Sequence, residues 1–384
     1  MEYAKPHRYR VTTRYKAPSK ELRGPLMIRV LIAEDSSTTR ELLAEVLRSD
    51  REIEVVGEAK NGAEAVEMAR ALKPTVITMD IQMPVMDGLE ATKRIMVESP
   101  VPIVIVSGST RAREVEVSMH ALRAGALTVL AKPSGVDSPG FEETARRFVQ
   151  TVKAMSQVKV VRRWPDRTLP RSPFPARITE QSVRAGIVAV AASTGGPVAL
   201  NQILTALPGN FGAPILVVQH ISIGFVEGLA RWLNDASPLR VRVAENGESL
   251  NPSTVYIAPD DRHLGLSAGG RTIELSGAPP IGGFRPSATF LFQSVARAFG
   301  RGAIAVVLTG MGQDGLEGLT AVRSAGGMVI VQDEGSSVVF GMPSAAIAAG
   351  YADSVLPVGT IALRLTDVIR MGERGNSNES STNH

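Results

Sequence analysis

The 384 residues include no cysteine. That removes disulfides, thiolate metal sites and a cysteine nucleophile together, and it suits a reducing compartment. Aromatic residues make up only 4%, so buried strands must be built from small and branched aliphatic side chains, as parallel sheets are. No apolar run approaches the ~20 residues of a membrane span, and no signal-peptide core follows the first residues. These absences predict no membrane insertion and a cytoplasmic location. Histidines number just five, so any histidine-dependent chemistry has few candidates. Hydrophobic residues are plentiful at 44%, and the length allows two buried cores.

The formal net charge of +4 is unevenly spread. Residues 1–29 hold eight Lys/Arg against Glu2 and Glu21, and residues 153–177 hold seven against Asp166. The remainder is acidic, which argues against a nucleic-acid groove on a folded body. Residues 1–26, with Pro6, Pro18 and Pro25, show no sustained period and read as a disordered basic extension. Residues 27–152 alternate strand and helix patterns five times, which predicts a doubly wound parallel sheet in flavodoxin-like order. Residues 153–183 read as a basic, Pro-rich linker. A second α/β segment spans 184–370, with strands near Ile187–Ala191, Ile215–Val218, Thr254–Ile257, Ile304–Leu308 and Met328–Val331, and a hairpin over His263–Ile273. Residues 371–384 read as a disordered polar tail. The expected architecture is α/β: two doubly wound parallel-sheet domains, the first flavodoxin-like and the second Rossmann-like.

In the first half, strand one ends in Glu34-Asp35 and strand three in Asp80. Parallel strand ends bring these carboxylates together, and like charges so close call for a cation. An oxygen-only donor set points to Mg²⁺. Strand four ends in Ser107 and strand five in Lys132, a hydroxyl and a cation able to meet a phosphoryl oxygen. With the string MDIQMPVMDG, these residues resemble the receiver domain of two-component response regulators over roughly Ile28–Val152. The resemblance implies Asp80 as phosphoacceptor, Glu34, Asp35 and Asp80 around Mg²⁺, Ser107 and Lys132 as switch residues, and a sensor histidine kinase as phosphodonor. Val129 departs from it, standing where many receivers carry an aromatic switch residue.

In the second half, IVAVAASTGGP reads as a buried strand, a small-residue turn and a helix opening at Pro197. Taken alone, that turn equally suits a phosphate cradle. Ser193 needs a base to act as a nucleophile. His220 ends the strand ILVVQH, and His263, in PDDRHLGL, is the spare. A carboxylate to orient the imidazole is supplied by Asp314 in LTGMGQDG, a turn lacking the Lys of a P-loop. Ser, His and Asp at three strand ends favour a hydrolase working by acyl transfer.

The strings AASTGGP, VVQHI, YIAPDDRHL, LTGMGQDG and VVFGMP resemble the chemotaxis protein-glutamate methylesterase (CheB) family over about Arg184–Leu363. A receiver joined by a linker is that family's architecture. The resemblance implies Ser193 as nucleophile, His220 as base, Asp314 as its partner, and an oxyanion site from N–H groups near Thr194 and Met311. It implies no cofactor for the hydrolysis itself. It also implies methyl-accepting chemoreceptors as substrates, demethylated at glutamate and deamidated at selected glutamines, under control of phosphorylation. In the substrate-side loop around Arg285 the chain departs from the family, with Phe284 before Arg285-Pro286 and Thr289 two residues beyond Ser287. Three rivals are weaker. A DNA-binding regulator would need a short helical output domain. A silent adaptor would not need the triad. A dinucleotide oxidoreductase would need a strand-linked G-x-G-x-x-G.

Overall fold

The structure, a computed structural model, describes residues 27–108, 112–133, 135, 138, 140–158 and 186–379, without the side chains of 112–116 and 371–379. The expected extension over 1–26 and most of the expected linker lie outside the described residues.

The first half contains β1 (Ile28–Ala33), α1 (Ser37–Arg48), β2 (Ile53–Ala59), α2 (Gly62–Leu72), β3 (Val76–Met79), α3 (Gly88–Glu98), β4 (Ile103–Ser107), α4 (Ala112–Ala124), β5 (Thr128–Ala131) and α5 (Phe141–Ser156). Its five strands pair in the order β2-β1-β3-β4-β5, every pairing parallel. This is the flavodoxin-like order expected from the sequence. Helices cover both faces, so β3 and β4 are buried along their whole lengths and read as unbroken apolar runs. Ser36, Asn61 and Asp87 cap α1, α2 and α3 by accepting from the N–H three residues on.

The second half runs β6 (Ile187–Ala192), α6 (Gly196–Ala206), β7 (Ile215–Gln219), α7 (Val226–Ala236), β8 (Arg240–Val243), β9 (Thr254–Ile257), β10 (His263–Leu266) and β11 (Ile273–Ser276). It continues with α8 (Ala288–Phe299), β12 (Ala303–Val307), α9 (Leu316–Ser324), β13 (Met328–Gln332), α10 (Met342–Ala348), β14 (Ser354–Leu356) and α11 (Val358–Glu379). Seven strands form a parallel sheet ordered β14-β13-β12-β6-β7-β9-β8, and β10-β11 form the expected antiparallel hairpin. The edge strands β8 and β14 escape a sequence reading because they are short and only partly buried, so neither carries an apolar run. The helix α11 continues through Glu379, into the stretch 371–384 expected to be disordered. Once Ile361, Leu365 and Ile369 have docked its first turns, each further residue costs little to add. Residues 380–384 lie outside the described part.

The two halves touch. Met119 and Leu122 of α4 share one apolar cluster with Phe225, Val226 and Trp232 at α7. The Arg123 guanidinium lies 5.5 Å over the Trp232 ring. Val338 and Val339, after β13, pack against the cluster holding Phe148 and Val152 of α5. The Ala131 N–H donates to Ser222 Oγ at 3.1 Å, joining the end of β5 to the loop after β7.

Where α3 opens, the backbone passes so near Asp80 that a Cβ on Gly88 would lie 1.9 Å from the Asp80 carbonyl oxygen. Gly88→Ala is expected to lower stability by about 2–3 kcal/mol, the scale of overpacking in a well-filled interior. A urea titration that leaves the transition midpoint in place would contradict this close approach.

Candidate functional site

From β6 the chain moves outward through β7 to β9 and β8, then returns to lay β12 on the other side of β6. The crevice beyond the carboxyl ends of β6 and β12 is therefore the switch point where open α/β sheets gather their ligands. Ser193 follows β6, His220 follows β7 and Asp314 lies in the loop after β12. Ala192 and Gln219 are register partners, so Ser193 and His220 are the next residues along two adjacent strands. Their backbones are tied across the gap: His220 N–H donates to Ala192 O at 2.9 Å, and Ser193 N–H to Thr309 O at 3.1 Å.

His220 Nε2 stands 3.0 Å from Asp314 Oδ2, with both side chains buried. The oxygen lies off the N–H axis, so the contact is bent and not a linear hydrogen bond. Asp314 also accepts from Ser287 Oγ at 2.8 Å, Ala288 N at 2.7 Å and Thr289 N at 3.3 Å. Burial pushes the Asp314 carboxyl up, but His220 and these donors outweigh it and hold the group below its ordinary range. It stays an anion at the opening of α8, where the helix dipole also favours negative charge. Among the described residues, neither the Ser193 hydroxyl nor His220 Nδ1 has a hydrogen-bond partner. With Nε2 toward the carboxylate, Nδ1 is the ring nitrogen left to serve a hydroxyl.

The N–H groups of Thr194 and Met311 likewise have no acceptor among the described residues. The loop bearing Met311 runs close to the serine, since a Cβ on the preceding Gly310 would come within 2.8 Å of Ser193 Cβ. Arg285 is engaged elsewhere. Its guanidinium is bound to Asp261 and to the carbonyls of Gly277 and Ala278, so it braces the loop from behind. His263, the spare base, is fully buried, with Nδ1 accepting from Ser287 N–H and Nε2 against Pro279 O at 3.1 Å. Both His263 nitrogens are spent on structure, whereas His220 Nδ1 is not.

Three further contributors are given no role by the sequence. The Gln219 carboxamide donates to Ser193 O at 2.7 Å and to His220 O at 2.9 Å, pinning two site residues with one side chain. Ser287 caps α8 and also donates to Asp314. Phe284 stacks on the His220 ring, centroids 4.3 Å apart and planes 10° from parallel. Only Ser287 carries a sequence signal, as a serine two residues after Arg285 and directly ahead of a helical apolar pattern.

At the far end of the first sheet, Glu34, Asp35 and Asp80 each offer an oxygen within 4.8 Å of the others. Lys132 Nζ lies 2.8 Å from Glu34 and 2.9 Å from Asp80. Asp80 also accepts from Ile81 N–H at 2.7 Å. Ser107 ends β4 beside them, its carbonyl accepting from Lys132 N–H at 2.9 Å. Burial raises the carboxyls of Glu34 and Asp80, and Lys132 only partly offsets it. Lys132 in turn is raised, because its two carboxylates outweigh its own burial. Three carboxylates facing one ammonium, with oxygen donors alone, suit a hard divalent cation.

Two outcomes follow from these charges. Mg²⁺ is expected to raise the melting temperature by several degrees at pH 8, by mass action on the folded state, and by less at pH 5, where protons compete for the raised carboxyls. Asp35→Asn should blunt the effect, and equal shifts at both pH values would contradict it. Asp314, being depressed, stabilises the fold above the ordinary carboxyl range near ~3.9 and loses that contribution as pH falls through its folded value. Asp314→Asn should therefore destabilise the protein at pH 7, with the deficit shrinking toward pH 3 in parallel thermal melts.

Comparison with known proteins agrees with both halves. A family profile described as CheB methylesterase matches residues 188–365, and one described as response regulator receiver domain matches residues 30–138. A protein-glutamate methylesterase/protein-glutamine glutaminase of Myxococcus xanthus is 56% identical over 345 residues, covering 89% of this chain and 97% of its own length. One from Anaeromyxobacter dehalogenans is 55% identical over 339 residues, covering 88% and 98%. The crystal structure of the Thermotoga maritima CheB methylesterase catalytic domain aligns at 45% identity and a TM-score of 0.47, covering 48% of this chain and 98% of that one. With these relatives matched along nearly their whole lengths, the chain belongs to the CheB family of protein-glutamate methylesterase/protein-glutamine glutaminases that carry a response regulator receiver domain.

Proposed function

We propose that this protein is a phosphorylation-activated hydrolase that removes methyl esters from glutamate side chains of chemoreceptors and deamidates selected glutamines. The observation that carries the reading is the pairing of His220 with the buried Asp314 at 3.0 Å, at the strand ends where Ser193 also sits. Ser193 Oγ attacks the ester carbonyl while His220 Nδ1 takes its proton, and Asp314 stabilises the imidazolium. The oxyanion accepts from the N–H groups of Thr194 and Met311. His220 then returns the proton to the leaving methoxide, releasing methanol. Water, deprotonated by the same imidazole, cleaves the acyl-serine to give the glutamate carboxylate. With a glutamine substrate the leaving group is ammonia, and the remaining steps are the same.

Regulation comes from the first half. Asp80 accepts a phosphoryl group from a sensor histidine kinase, and Lys132 and the Ser107 hydroxyl meet its oxygens. Glu34, Asp35 and Asp80 are the residues that would hold Mg²⁺, which supplies positive charge for the incoming phosphoryl group. The contacts of α4 with α7 and of Ala131 with Ser222 support a resting arrangement in which the receiver restrains the loops bordering the cleft. Phosphorylation loosens it, a local charge change read out by a two-state interface. Among the described residues no helix is long and apolar enough to cross a membrane, and a cytoplasmic location accords with this reading. The acidic balance of the folded bodies supports a protein partner and no nucleic acid.

The purified full chain, given a small-molecule phosphodonor and Mg²⁺, is expected to release methanol from methylated receptors faster than without them. Ser193→Ala should cut turnover by at least ~10⁴-fold while Asp80 still takes up phosphate. Asp80→Asn should stay at the basal rate. Near wild-type methanol release by Ser193→Ala, or no response to the phosphodonor, would overturn the proposal.

A further inference from the structure

Among the described residues, the buried imidazole of His220 meets a carboxylate at its edge and an aromatic ring on its face. At the edge, the approach to Asp314 is bent, and the carboxylate is already shared with Ser287, Ala288 and Thr289. A bent contact to a carboxylate so occupied sets where the ring edge sits but tolerates tilting of its plane. The face contact is different in kind. Phe284 lies nearly parallel to the imidazole at 4.3 Å, and a flat ring against a flat ring resists that tilt.

Phe284 is itself held firmly. Ile281 and Phe284 exchange both backbone hydrogen bonds, at 3.1 and 3.0 Å. The two residues between them, Gly282 and Gly283, have φ of 59° and 84°, the positive pair that a tight two-residue hairpin turn requires. On the other side, Arg285 is fastened to Asp261 and to two loop carbonyls. The turn therefore presents the aromatic ring from a braced frame.

We infer that Phe284 is a positioning residue for the general base, setting the plane of His220 so that Nδ1 points at the Ser193 hydroxyl. The inference rests on the reading of Ser193, His220 and Asp314 as a triad. A small misalignment of reacting groups costs on the order of 10²-fold in rate, and substrate binding does not depend on it.

The test uses the full chain activated with phosphodonor and Mg²⁺, with methylated receptor as substrate. Phe284→Leu keeps apolar bulk but loses the flat face, whereas Phe284→Tyr keeps the face. The leucine variant is expected to lose about 10–100-fold in kcat with KM within about twofold, and the tyrosine variant to recover most of it. In selectively labelled protein, the His220 ring protons should move downfield in the leucine variant and stay in place in the tyrosine variant, as loss of a stacked ring requires. Leucine and tyrosine variants of equal activity would overturn the inference, as would a loss confined to KM or an unmoved ring signal in Phe284→Leu. Ser193→Ala, assayed alongside, separates the two levels: if it retained turnover the triad reading would fail, whereas the ring signal reports the stack without any turnover.

Discussion

Burying the Asp314 carboxylate is the constraint around which the second half is arranged. A charge out of water is tolerated only when donors surround it. Four neighbours surround it: the His220 ring edge at 3.0 Å, and three donors, the Ser287 hydroxyl and the first two amides of α8. Each neighbour brings a piece of structure with it. Ser287 and the amides bring α8, which lies over the sheet and carries Leu291, Phe292 and Val295 into the core. His220 brings the end of β7, and through Gln219 the turn that bears Ser193. The buried His263 sits behind Ser287. One anion therefore links the helix, the hairpin and two strand ends.

The first half meets the same electrostatic problem and leaves it unfinished. Glu34 and Asp80 are buried and raised, with Lys132 bridging them. Asp314 is depressed because its donors are sufficient, and Asp80 is raised because its partners are not. A site with too few donors has room for a further cation, whereas a carboxylate already supplied with donors serves as a fixed frame. The two are joined through short links. Lys132 follows Ala131, whose N–H bonds Ser222, and Ser222 is two residues beyond His220.

Much of this was legible in the chain. Parallel strands read clearly because helices cover both faces and leave unbroken Val/Ile/Ala runs, while β8 and β14 at the sheet edges left no such trace. Ser193, His220 and Asp314 stand out as candidates because strand ends in an α/β sheet are few and the protein has five histidines. Gln219 and Phe284 were invisible because their roles are geometric. A carboxamide bridging two carbonyls, or a ring lying on another ring, leaves no spacing rule behind. Arg285 shows the reverse: a charged residue expected to face a substrate is bound by Asp261 and two carbonyls.

The sequence by itself determined the two sheets, their carboxyl-end crevices and the residue types at each. Local patterns of two and 3.6 residues, together with the shortage of alternatives, carry that information. Only the tertiary structure separates His220 from His263, because the difference lies in which ring nitrogens are already occupied. It also decided that the Asp314 carboxyl is held below its ordinary range while burial raises those of Glu34 and Asp80, since burial and donor count are properties of packing. The contact between the halves belongs there too, as a bond from Ala131 to Ser222 joins residues ninety-one positions apart that no local rule connects.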